Sequence, residues 1–233
     1  MKNRIKAIAT PRHRLAAATP YRTLGPTPEN IIYLPEKLNI WGNDTYGDCV
    51  TAEEAFAKAC YNPEIYIPTQ IVEAWALLHG SLNGANIESV LTAMQTGGFL
   101  MGLHLYNDGP HNSVDWTDAP TLRNAIAQGP VKIGVAAAQL LKTVPNPPTS
   151  GWIATGYTTD AEIDHCVSLC GYGTIEWLAE QLKVLVPVAI DETQPAYALY
   201  TWDSIGIIDV PSLLAICGEA WLRTPTTVIK KVL

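Results

Sequence analysis

Apolar and polar positions change their rhythm about halfway along the chain. The run from Cys49 to Cys60 has high helix propensity, places Val50, Phe56 and Cys60 near one face, and carries acids in its opening turns. Residues 69–79, with Ile71, Ala74, Trp75 and Leu78, and residues 87–95, with Val90, Leu91 and Met94, repeat a helical period, and Gly97-Gly98 stops the second. Asp118-Ala119-Pro120-Thr121 opens a further helix through Ala127, with Asp or Thr as its cap and Gly129-Pro130 as its stop. Beyond it the pattern becomes strand-like, at 131–136, 165–172, 184–190, 197–203 and 228–232, with a Pro-rich loop at 143–151. Residues 1–39 are rich in Pro, Thr and Arg, with neither period, and read as an extended arm. The expectation is an α+β protein with a helical lobe over 40–115, a β-rich lobe over 116–233, and a cleft between them.

Composition sharpens this in two ways. Of 233 residues, 48% are hydrophobic and 16% charged, which excludes a disordered chain. No window reaches the ~18 apolar residues of a membrane span, and the apolar stretches near the N-terminus are too short and broken for a secretory signal. The net charge of −7 hides an asymmetry: residues 1–28 hold six cations and no acid, so the remaining body stands at −13. An acidic body argues against a nucleic-acid surface there, while the basic arm suits docking on an acidic partner. The five cysteines (49, 60, 166, 170 and 217) have no CxxC spacing and are too sparse for a disulfide scaffold. Reduced thiols in a cytoplasmic protein, with no metal, cofactor or membrane, are the expectation.

Three places carry candidate chemistry. Cys49 follows the turn-rich loop Trp41-Gly42-Asn43-Asp44-Thr45-Tyr46-Gly47-Asp48 and opens a helix, where unpaired N–H groups favour a thiolate over the free thiol's pKa of about 8.5. The plainer reading is an inert buried cysteine. His165 begins a strand in which alternation puts His165, Val167 and Leu169 on one face and Cys166, Ser168 and Cys170 on the other, against a His/Cys metal cluster. In Tyr197-Ala198-Leu199-Tyr200-Thr201-Trp202-Asp203-Ser204, the odd positions share a face. Asp203 there is able either to orient an imidazole, with Trp202 excluding water, or to cap the next turn.

In the order Cys, His, Asp these segments resemble the papain-like cysteine peptidases. Asn43 to Cys49 is similar to that family's oxyanion-to-nucleophile segment, with the same six-residue gap. Asp164-His165-Cys166-Val167-Ser168-Leu169-Cys170-Gly171-Tyr172-Gly173 resembles its Asp-His-Ala-Val-x-x-x-Gly-Tyr-Gly strand, and residues 122–131 resemble its helix and Gly-Pro-Val strand entry. The Gly-Asn-Asp-x-x-Gly-Asp-Cys run also resembles uncharacterised phage and bacterial relatives of the fold. The resemblance covers about residues 40–205 and implies Cys49 as nucleophile, His165 as base and then acid, Asp203 in the place of the orienting Asn, and Asn43 in the place of the oxyanion Gln. Thr201, on the Asp203 face, is the alternative third residue.

The chain departs from that pattern at Asn43, one methylene shorter than Gln; at Val50, where an aromatic is usual; and at Tyr46, where the family has a cysteine. The span from His165 to Asp203 is longer than usual, which places an inserted hairpin or helix around Trp177 to Val186. A Pro-broken arm cannot form the family's long helical propeptide, so regulation by a cleaved prodomain is not expected. The implied function is hydrolysis of a peptide or protein amide through a thioester. The alternatives are a non-catalytic structural protein of the same fold, such as a virion component, and a transglutaminase-type acyltransferase.

Overall fold

A computed structural model of the chain describes residues 6–232. The arm begins with strand β1 (Ala7–Ile8), helix α1 (Arg12–Ala17) and strand β2 (Ile31–Ile32). Helix α1 stands where no helix was expected, but it is six residues long and buries none of them. The helical half supplies α2 (Cys49–Ala59), α3 (Thr69–Leu78), β3 (Ala85–Asn86), α4 (Ile87–Thr96), β4 (Phe99–Met101), β5 (His104–Asn107) and β6 (His111–Ser113). The second half runs α5 (Ala119–Gln128), β7 (Val131–Val135), α6 (Leu140–Thr143), β8 (Ile153–Ala154) and β9 (His165–Thr174). It continues through α7 (Ile175–Leu182), β10 (Pro195–Thr201), β11 (Ser204–Asp209), α8 (Val210–Ile216), β12 (Cys217–Arg223) and β13 (Val228–Lys231).

Local signals hold where side chains close the helix ends. Asn86 accepts from the Ser89 N–H at 3.0 Å to start α4, and Asp118 accepts from the Thr121 N–H at 3.1 Å to start α5. The expected strand at 184–190 is absent. That segment leaves α7 through Lys183, in the left-handed region at φ 57°. Although Val184, Val186 and Ile190 pack against the core while Leu185 and Val188 stand in solvent, it pairs with no strand. Helix α7 occupies part of the expected insertion.

The main sheet has eight strands, in the order β6-β12-β7-β9-β10-β11-β8, with β2 also paired to β9. Neighbours of β9 run antiparallel to it, with Val135 opposite His165 and Lys132 opposite Ser168. The two halves of the sequence exchange strands. β6 from the first half joins β12, and the terminal β13 returns to pair with β5 in a three-stranded sheet with β4. The lobes are therefore not contiguous stretches of chain.

Strand β9 divides two cores. Cys166 and Cys170 face a cluster built with Cys49, Phe56, Val72 and Leu91 of the helices, whereas Val167 and Leu169 face Leu122, Ile126, Leu213 and Ile216 on the other side. Every residue of α2 is buried, including Glu53, Glu54 and Lys58. A helix enclosed on all sides must pair its charges internally, because an isolated buried ion is strongly unfavourable. Arg223 grips Glu53 with two bonds of 2.9 Å and Glu54 with one of 2.7 Å, Lys132 pairs with both glutamates, and Lys58 pairs with Asp108.

Candidate functional site

Cys49 is the first residue of α2, whose opening turn is formed by the Thr51 and Ala52 N–H groups donating to the Asp48 carbonyl at 2.8 and 2.9 Å. It is 2% exposed, and His165, at the start of β9, is 1% exposed. The fold brings them to one small cavity, lined also by Asn43, Glu53, Thr201 and Trp202. Its volume is ≈ 10 Å³, about the space of one water molecule, so the site is closed in this state.

The imidazole is held on one nitrogen. His165 Nε2 lies 2.8 Å from Thr201 Oγ1, while Nδ1 is buried and has no hydrogen-bond partner. The Trp202 ring stacks on it with centroids 4.4 Å apart and planes 14° apart. Asp203, expected to orient the imidazole, does not line the cavity. Strand β10 ends at Thr201, and Trp202 and Asp203 form the two-residue turn into β11, both left-handed at φ 44° and 65°. The alternation that puts Asp203 on the Thr201 face stops where the strand stops, and Asp203 is exposed. Thr201 occupies the position facing His165.

Asn43 is buried, and its Nδ2 donates to the Tyr46 carbonyl at 3.2 Å, which fixes the loop before α2. Asp48, read from sequence only as part of that loop, is fully buried with neither carboxylate oxygen hydrogen-bonded. Burial, opposed by the nearby Asn43 amide and reinforced by Glu73, pushes its carboxyl up to about 7.

The arm packs beside Cys49. A Cβ on Gly47 would stand 2.5 Å from the Lys6 side chain, so only glycine allows Lys6 to lie where it does. The strand then pairs in parallel with β3, Ala7 N–H donates to the Asp164 carbonyl at 2.9 Å, and Thr10 N–H donates to Glu219 at 2.9 Å. Under this cover, desolvation decides the protonation states. Burial drives the Cys49 thiol up to about 11, against the pull of nearby backbone N–H groups of Lys6 and Cys166 and of the Lys132 charge. Burial drives His165 down to about 3. The helix N-terminus leads one to expect a depressed thiol pKa; in this closed state burial outweighs it.

Lys132 was missed in reading the sequence, although a signal existed. A lone lysine inside the otherwise apolar Val131–Val135 strand needs a buried partner, and Glu53-Glu54 in an apolar helix provides one. Among the described residues, no group of three or more His, Cys, Asp or Glu side chains is placed to hold a metal ion, and no helix is long and apolar enough to cross a membrane.

No protein-family model matches the chain, and no curated sequence relative is found. Solved structures do match. Xylellain, a cysteine protease from Xylella fastidiosa, aligns with a TM-score of 0.63 at 13% identity, covering 100% of this chain and 97% of that one. The ragweed pollen cysteine protease Amb a 11, in its proform, gives 0.64 at 13% identity over 91% of this chain and 72% of its own. Bromelain from Ananas comosus, in complex with the E64 inhibitor, gives 0.58 at 10% identity over 84% and 98%. The fold is that of the papain-like cysteine proteases, α+β with two lobes.

Proposed function

We propose that the chain is a cysteine peptidase acting through Cys49 and His165, with Thr201 as the residue that orients the imidazole. The carrying observation is the division of labour at His165, which lines one cavity with Cys49: Nε2 is bound to Thr201, while Nδ1 is buried without a partner. A neutral imidazole whose Nε2–H donates to Thr201 Oγ1 presents the Nδ1 lone pair as a base. The Cys49 proton passes to Nδ1 and sulfur attacks the amide carbonyl carbon. The resulting oxyanion is met by the Cys49 backbone N–H and the second Nδ2–H of Asn43. His165 then returns the proton to the leaving nitrogen as the C–N bond breaks. Water, deprotonated by the same nitrogen, cleaves the thioester and releases a carboxylic acid and the thiol. The substrate is a peptide or protein amide, and reaction requires the ≈ 10 Å³ cavity to open.

A second reading, a non-catalytic protein of the same fold, draws on the closed cavity, the protonated thiol and the neutral imidazole. The test is hydrolysis of a mixed peptide library by the full chain and by Cys49→Ala, analysed by mass spectrometry. Cleavage by the parent alone supports the peptidase. No cleavage by either, with or without residues 1–10, supports the second reading.

A further inference from the structure

Lys132 reaches from the sheet that carries His165 to the helix that carries Cys49. It lies on β7, which pairs with β9 so that Lys132 faces Ser168 and Val135 faces His165. Its ammonium is fully buried, and Nζ donates at 2.7 Å to the carbonyl of Val50, the residue that follows Cys49. The same nitrogen hydrogen-bonds Glu54 and pairs with Glu53 at 3.2 Å. A lysine that only balanced the two glutamates would need no bond to the helix backbone, and Arg223 already binds both carboxylates.

We propose that Lys132 is a positioning residue for Cys49, its buried ammonium clamping the first turn of α2 to the His165 sheet and placing a fixed positive charge beneath the nucleophile. The charge adds to the positive end of the helix, where it favours a sulfur anion. The groups facing Cys49 are Asp48 in the preceding loop, Glu53 one turn along α2, His165 and Cys166 on β9, and Lys132 on β7. Those facing Lys132 are Glu53 and Glu54 on α2, Cys166 on β9 and Arg223 on β12. Asp48 raises the thiol pKa and Lys132 lowers it, so Lys132 is the side-chain cation opposing that carboxylate.

The inference rests on Cys49 as nucleophile, but its test reads the thiol and needs no substrate. A chain that hydrolyses nothing overturns the peptidase reading and leaves this measurement intact. Iodoacetamide labelling of Cys49 in the full chain is followed by mass spectrometry from pH 7 to 9, where the rate tracks the thiolate fraction. Glu54→Gln leaves the Lys132 charge less compensated and is expected to speed labelling several-fold. The double variant Lys132→Met with Glu54→Gln removes one charge of each sign and is expected to slow labelling about tenfold. Lys58→Met with Asp108→Asn, which removes a buried pair further along the same helix, is expected to stay within twofold of the parent. Loosening of the fold by itself exposes Cys49 and speeds labelling. A double variant as fast as the parent or faster, with amide hydrogen exchange over residues 49–54 unchanged, therefore overturns the proposal, and where that exchange rises the single variant decides. Should the double variant not fold, Glu54→Gln decides. Faster labelling with unchanged amide hydrogen exchange over residues 49–54 supports the proposal, and no acceleration overturns it.

Discussion

His165 Nε2 and Thr201 Oγ1 lie 2.8 Å apart inside the protein, while Asp203, two residues along the hairpin, stands in solvent. A hydroxyl on the last residue of β10, the alternative third residue, therefore meets the imidazole in place of the Asp203 carboxylate. A single hydrogen bond of this kind contributes about 1–1.5 kcal/mol, close to a tenfold effect on rate. Thr201→Val is expected to lower kcat for peptide hydrolysis about tenfold or more, and Asp203→Asn to leave it within about twofold. Steady-state kinetics of the two variants decide between them; the opposite ranking would return the orienting role to Asp203.

Trp202 stacks on His165 with the rings 4.4 Å apart. Burial is what holds this histidine down at about 3. Trp202→Ala admits water to that face and is expected to raise the imidazole pKa toward its ordinary value. An NMR pH titration of His165 measures this, and an unmoved midpoint would show that the tryptophan is not the shield.

Two buried groups give stability opposite pH slopes. His165 titrates at about 3 when folded, below its unfolded value of 6.5, so its contribution is present above 6.5 and is lost as pH falls toward 3. Asp48 titrates at about 7 when folded, above 3.8, so its contribution is present below 3.8 and is lost as pH rises through 7. Asp48→Asn removes only the second slope. Thermal unfolding at pH 8 is expected to show a higher Tm for the variant than for the parent, with the gap closing by pH 4. A constant gap across that range would place the effect elsewhere.

Residues 6–10 are anchored by the Lys6 contact with Gly47, the pairing of β1 with β3, and the Ala7 and Thr10 backbone bonds, which place the Lys6 backbone beside Cys49. Deleting residues 1–10 is expected to expose the thiol and lower its pKa from about 11, because desolvation is the largest cause of that elevation. Iodoacetamide labelling of Cys49 at pH 8 is expected to accelerate at least tenfold, against little change at Cys60. Equal rates before and after deletion would mean that the arm is not the barrier.

Glu53 receives both arms of the Arg223 guanidinium. Glu53→Ala strands a buried cation and is expected to cost about 3–5 kcal/mol, lowering Tm by roughly 6–20 °C for a chain of this size. Calorimetry checks it; a loss below about 1 kcal/mol would mean that Glu54 alone satisfies Arg223.

The sequence by itself determined the elements whose signals are local. Helices α2 to α5 follow from side-chain period and from capping by Asn86 and Asp118, and the alternation of Cys166, Val167 and Leu169 across β9 follows from the pleat. The order Cys49, His165, Asp203, with Thr201 as the alternative third residue, and the papain-like fold were legible through the resemblance of those segments to a known family. Tertiary structure alone decided the rest. Strand alternation could not tell Thr201 from Asp203, because it carries no information about where the strand turns. The apolar residues of 184–190 form no strand, because β10 already pairs on both sides, with β9 and β11. Protonation at Cys49 and His165, and the partners of Lys132, depend on which distant segments exclude water and share charge. Burial is a property of the assembled whole, and no local pattern encodes it.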